Sequence, residues 1–147
     1  MIALDIMILI WYHYNMRLIN RDVDYSVRAL IYIAAKAPEV VPVSGMEIKT
    51  GVSRPFLIKI LQKLNKAGVL RSRKGRSGGF VLAKRPDKIF LSELISVFQG
   101  STVQDGCVFN GLLCSSHRTC RLRRSLGAVE GKMLAEIEKI SLKSLMA

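Results

Sequence analysis

Apolar residues recur at helical spacing between Asp24 and Ala37, where Val27, Leu30, Ile31 and Ala34 follow the i, i+3, i+4, i+7 rule for one buried face. Pro38 ends that helix because its ring removes a backbone donor. Beyond a Val40–Val43 linker, Ser44 is placed to cap a short helix running to Lys49, with Glu47 three residues on as a capping box requires. Gly51 breaks the chain. Ser53 then caps a helix from Arg54 to about Ala67, with Leu57, Ile60, Leu61 and Leu64 as its apolar stripe, Pro55 acceptable in the first turn and Gly68 as the stop. Two strand-like pieces, Val69–Ser72 and Gly79–Ala83, bracket the turn RKGRSG and predict a β-hairpin. Ile89 is expected to close a small edge strand, and Leu91–Phe98 to form a helix capped by Ser92. Gly100–Thr119 has no periodicity. From Arg121 to Leu145 a helical stripe returns through Leu126, Val129, Met133, Ile137 and Ile140, widened by Leu134 and Leu145.

Two short helices joined by Gly51-Val52-Ser53 and followed by a basic hairpin form a helix-turn-helix with a wing. The predicted fold class is therefore mainly α with a small β-hairpin wing: a winged helix-turn-helix plus a long C-terminal helix. Charge adds a partner to this picture. The chain carries 23 Lys and Arg against 11 Asp and Glu, a formal net charge of +12. Eleven of the basic residues and a single acid, Asp87, lie between Arg54 and Lys88. Such a concentration suits a polyanion, and a helix of this kind fits the major groove of duplex DNA. The first turns of the second helix enter the groove in helix-turn-helix proteins, which nominates Ser53, Arg54, Pro55, Phe56 and Lys59 for DNA contact. Arg73, Lys74 and Arg76 on the wing are expected to meet the backbone or the minor groove, with Gly75, Gly78 and Gly79 letting the hairpin turn tightly and approach DNA.

The aperiodic segment holds Cys107 and Cys114, and Cys120 follows it directly, so the three cysteines are spaced Cys107-x6-Cys114-x5-Cys120. An odd, tightly clustered count argues against a disulfide framework. Three thiolates in so short a span can converge on one metal centre, an iron-sulfur cluster or zinc. His117 supplies the fourth donor of a Cys3His zinc site, and a metal-free thiol switch is a further reading. Arg118, Arg121, Arg123 and Arg124 crowd the segment and offset the negative charge of a thiolate-bound cluster.

Other classes find less support. No nucleophile–base pair, phosphate loop or carboxylate pair stands in a recognisable setting, so no enzyme is predicted. The apolar run from Ile6 to Tyr12 is too short to span a bilayer, and lacks the basic start and small-residue cleavage site of a secretory signal. A cytoplasmic protein without a membrane role is expected. Met16 opens a more ordinary start, so residues 1–15 read as an extension that depends on the choice of start codon.

The stretches MRLINRDVDYSVRALIYIA and GVSRPFLIKILQKLNKAGVLRSRKGRSGGFVLAKRPDKIFLSELI, followed by the cysteine segment and CRLRRSL, resemble the Rrf2 family of winged-helix regulators from Met16 to about Leu145. The resemblance implies a DNA-binding unit over 16–99, a cluster-binding loop over 100–120 and a dimerisation helix over 121–147. It also implies a homodimer whose C-terminal helices cross, with two winged units on a palindromic operator in double-stranded DNA. Its cofactor would be an iron-sulfur cluster, 2Fe–2S or 4Fe–4S, on Cys107, Cys114 and Cys120. The first gap is one residue longer than the common pattern. Some members use a histidine three residues after the last cysteine, where this chain has Arg123. Others use a first-helix aspartate of the partner subunit, which matches Asp24; its alternative role is as cap or first-turn acid of that helix. The function so implied is a transcriptional regulator, a repressor, whose operator affinity responds to nitric oxide, redox state or iron-sulfur supply.

Overall fold

The computed structural model of the chain describes residues 18–100 and 119–146. The expected extension over 1–15, and with it Cys107, Cys114 and His117, lies outside those residues. Helix α1 (Arg21–Ala35) is followed by a 3-10 turn (Val43–Gly45), α2 (Met46–Thr50), α3 (Arg54–Lys66), strands β1 (Leu70–Arg73) and β2 (Gly79–Leu82), a second 3-10 turn (Pro86–Lys88), α4 (Leu91–Gln99) and α5 (Arg121–Ile137). The mainly helical chain with one antiparallel hairpin is the winged helix-turn-helix predicted.

Helix α1 lies at the centre, against α2, α3, α4 and β2. It starts three residues earlier than its apolar pattern suggests, because Asn20 is the cap: its side chain accepts from Val23 N at 2.9 Å. Of the expected stripe, Leu30 is fully buried and Val27, Ile31 and Ala34 pack partly buried against the core, while the other fully buried positions are Val23, Ser26, Ala29 and Ile33. An all-apolar run from Ala29 to Ile31 fits either register, and packing on several sides selects the observed one. Ser26 is admitted because its hydroxyl donates to Val23 O at 2.7 Å.

Helix α3 buries the stripe its sequence predicts, Leu57, Ile60, Leu61 and Leu64. Burial of each such side chain stabilises by roughly 1.5–3 kcal/mol relative to exposure. The stop is also as expected. Gly68 adopts φ +74°, its N–H bonds Asn65 O at 3.1 Å, and Val69 N bonds Leu64 O at 3.0 Å. That is a Schellman pair closed by two buried apolar residues, Leu64 and Val69.

Other expectations need correcting. Ser44 caps nothing, and the Ser44–Glu47 capping box does not form, because the 3-10 turn runs straight into α2 through Gly45. Ser92 lies inside α4, which starts after Phe90. Ile89 does not close an edge strand. Its carbonyl accepts from Leu142 N at 2.7 Å, while Leu91 N donates to Ile140 O at 2.9 Å and Phe90 bridges Ser141. The C-terminal helix therefore ends at Ile137 instead of reaching Leu145, and the chain turns back so that Leu142 joins the core. Among the described residues, no helix is long and apolar enough to cross a membrane.

Candidate nucleic-acid interface and cysteine site

The strands of the wing pair from Leu70–Leu82 to Arg73–Gly79. Its root is tied to α3, where Asn65 Oδ1 accepts from Ser72 N at 3.0 Å. A third segment joins the hairpin. Val41 N donates to Phe80 O at 3.0 Å and Phe80 N to Val41 O at 2.9 Å. The glycines serve this packing directly. Gly75 turns the tip with φ +113°, and a Cβ on Gly78 would lie 2.5 Å from Arg73 O. A Cβ on Gly79 would lie 2.3 Å from Val41 O. Close approach at Gly78 and Gly79 is thus within the protein, which is a different use from the approach to DNA expected of them.

Arg54, at the first position of α3, shares one groove with Ser72, Arg73 and Lys74 of the wing and with Ser44 before α2. The fold brings the helix end and the wing together although about twenty residues separate them in the chain. Ser53, Arg54, Pro55 and Lys59 are exposed, as are Arg73, Lys74 and Arg76. Ser53 occupies the cap position of α3 with its hydroxyl unused. Phe56 differs from the rest. It is 43% exposed, and its ring meets Tyr25 of α1 edge-on, with centroids 6.1 Å apart. This contact ties α3 to α1 and turns the ring toward the protein.

The helix also presents residues that were not among the expected contacts. Pro55, Lys59, Gln62 and Lys66 follow the spacing of one helical face opposite the buried stripe, and all are exposed. The same periodicity that marks the buried stripe marks this outer face, so Gln62 and Lys66 were findable from sequence. On the flank away from the wing, a second cleft is lined by Asp22, Phe56, Lys59, Lys63, Lys66 and Phe98.

Of the cysteine segment, Cys120 is described. It caps α5, half-buried, and its Sγ accepts from Arg123 N at 3.4 Å. Asp24 is not the cap of α1, a place Asn20 takes, but it is one of the two acids in the first turn of that helix. Its carboxylate pairs with Arg28 at 3.0 Å on an exposed surface. Such a pair is worth only about 0.3–0.5 kcal/mol, so it can be exchanged for another partner. Among the described residues, no three His, Cys, Asp or Glu side chains converge on a metal. The donor chemistry nevertheless fits a thiolate-held cluster: a sulfur at the positive end of a helix, already accepting a backbone N–H.

A helix-turn-helix transcriptional regulator of Rhodobacter capsulatus, described as rrf2-like, is 29% identical over 139 residues, covering 88% of this chain and 93% of its own. Another, from Aquifex aeolicus, is 38% identical over 93 residues, covering 63% of this chain and 65% of its own. Among solved structures, the global cysteine regulator CymR of B. subtilis matches with a TM-score of 0.71 at 20% identity, over 89% of this chain and 97% of its own. IscR of T. potens matches at 0.67 and 23% identity, over 89% and 87%. These two likenesses concern the fold. The related sequences are those of transcriptional regulators, not enzymes. With residues 19–147 matched by the family's sequence model, described as an iron-dependent transcriptional regulator, the chain belongs to the Rrf2 family of DNA-binding transcriptional regulators.

Proposed function

We propose that this regulator is a homodimeric repressor that binds a palindromic operator, with an affinity set by an iron-sulfur cluster on Cys107, Cys114 and Cys120. In this reading residues 16–99 read DNA, 100–120 hold the cluster and 121–147 dimerise, with Asp24 of the partner subunit as the fourth ligand. The observation that carries it is the place of Cys120. This thiol caps α5, the helix whose exposed stripe is the proposed dimer interface, so ligand and interface belong to one rigid element. Two recognition helices held by such an interface have their spacing fixed by it. A bound cluster would supply a centre that changes with redox state, nitric oxide or iron supply. The chain's part is to hold the cluster between the DNA-binding unit and α5 and so set the angle at which α5 leaves that unit. A coupling of ~1–3 kcal/mol is enough for regulation.

Anaerobically purified protein is expected to be coloured, to contain iron and acid-labile sulfide, and to bind its operator with a different affinity once the cluster is removed. Equal affinity of the two forms at matched salt would overturn the sensing reading. A colourless protein containing zinc would replace the cluster with a structural site.

The DNA face has its own test. Arg54→Ala should cost about 1–3 kcal/mol and relax the preference at one base pair, the signature of a lost bidentate contact. Arg76→Ala at the exposed tip of the wing should weaken binding to all sequences alike and reduce the salt slope by about 0.9, the signature of one lost phosphate. Fluorescence anisotropy across a salt series separates the two. Neither effect appearing would count against this face.

A further inference from the structure

The second cleft beside α3 contains a lysine that is held in place. Lys63 Nζ stands 5.1 Å from the centre of the Phe98 ring, inside the range of a cation–π contact. Phe98 is in the last turn of α4 and only 9% exposed, so its ring is fixed by the core while Lys63 is exposed. Lys59 and Lys66 line the same cleft with no such contact, and Asp22, which lines it too, pairs with none of the three lysines.

Helix geometry gives this contact a role. The buried stripe of α3 sets its inner face, and Pro55, Lys59, Gln62 and Lys66 lie opposite. Arg54 lies on one flank beside the wing, and Lys63 on the other beside Phe98. A helix with its side chains is about 10–12 Å across and the major groove about 12 Å wide, so the flanks of a docked helix meet the two phosphate walls. A lysine free to rotate loses that freedom when it binds a phosphate; one already held over a ring loses less.

We infer that Phe98 is a positioning residue for DNA binding: it holds Lys63 as a preset clamp for a phosphate on the wall of the major groove opposite the wing. Neither residue reads bases here, so the clamp serves all sequences alike. Recognition is by the phosphodiester chemistry of duplex DNA, and the operator is not needed to test it.

The probe is a short duplex of arbitrary sequence, titrated with the full chain by fluorescence anisotropy over a salt series. Lys63→Met keeps an unbranched chain over the ring and removes the charge; it should reduce the slope of log K against log salt by about 0.9. Phe98→Leu keeps the core filled and removes the ring, and should weaken binding about two- to tenfold, because a lysine no longer held loses its rotamer freedom on binding the phosphate. Phe98→Tyr should restore affinity. In the Lys63→Met background, Phe98→Leu should have no further effect, which a merely structural role for Phe98 would not produce. An unchanged slope in Lys63→Met overturns the clamp. An equal loss on Phe98→Leu in both backgrounds overturns the positioning role. Lys63 is exposed, so the first test stands even where a Phe98 variant does not fold.

Discussion

Gly79→Val is expected to destabilise the DNA-binding unit by about 3–5 kcal/mol and to abolish DNA binding, because the wing loses its third segment. The Cβ of any residue at 79 would stand 2.3 Å from Val41 O, 2.6 Å from Val41 C and 2.9 Å from Pro42 N. These are backbone atoms, which cannot swing away as the end of a side chain can. They are also held, since Val41 and Phe80 exchange both backbone hydrogen bonds. Relief requires the Val41 segment to part from β2. Two hydrogen bonds worth about 0.5–1.5 kcal/mol each are then lost. Val41, now fully buried, also loses part of the roughly 1.5–3 kcal/mol its burial supplies. Gly51→Ala is the control. Gly51 has φ +69° but open space where the Cβ would go, so the cost there is only the backbone strain of about 1 kcal/mol. Urea melts of both variants check the difference. Equal destabilisation would mean that the contact at Val41 does not constrain the wing.

That glycine marks where the sequence stops being readable. A basic turn with three glycines announces a hairpin, but what the glycines make room for depends on Val41, far back in the chain. Helix α3 was legible because its information is local. Its stripe repeats cleanly, and Gly68 and Val69 terminate it by bonds to residues three and five positions back, respectively. The face of α1 was not, because Ala29–Ile31 is apolar at every position and contacts with other elements choose which side is buried. Ser44 and Ser92 carry the composition of caps, yet a cap works only where the helix starts, and packing placed those starts after Gly45 and Phe90. The C-terminal pattern misled for a related reason. Ile140 and Leu142 continue the apolar spacing of α5, but they bury themselves by turning back against Ile89 and Leu91. For the site, sequence identified exposed basic residues on α3 and the wing. It did not show that Arg54 and Lys74 line one groove, that Phe56 turns to Tyr25, or that Phe98 reaches Lys63.

Val129→Glu is expected to make the protein monomeric and to weaken binding to a palindromic operator about 100-fold or more, while leaving the winged unit folded. Helix α5 has no buried residue within one chain. Leu122, Leu126 and Val129 are 62%, 38% and 54% exposed, and with Met133 they fall on one face at spacings of four, three and four. Leucine and valine exposed in a row along a helix are unfavourable unless a partner covers them, and the proposed partner is the same helix of a second copy. In a two-fold interface each substitution appears twice, so a carboxylate at 129 would bring two like charges into the contact while removing apolar area from both sides. A monomer must bind each half-site alone and loses the gain of tethering, which is typically 10²–10⁴. Ala135→Glu adds the same charge on an exposed position away from the stripe and should remain dimeric. Sedimentation equilibrium reports the oligomeric state. Gel shift on a full palindrome against a single half-site reports the tethering. If Val129→Glu stays dimeric, the stripe on α5 is not the interface, and the link from Cys120 through that helix to the operator fails with it.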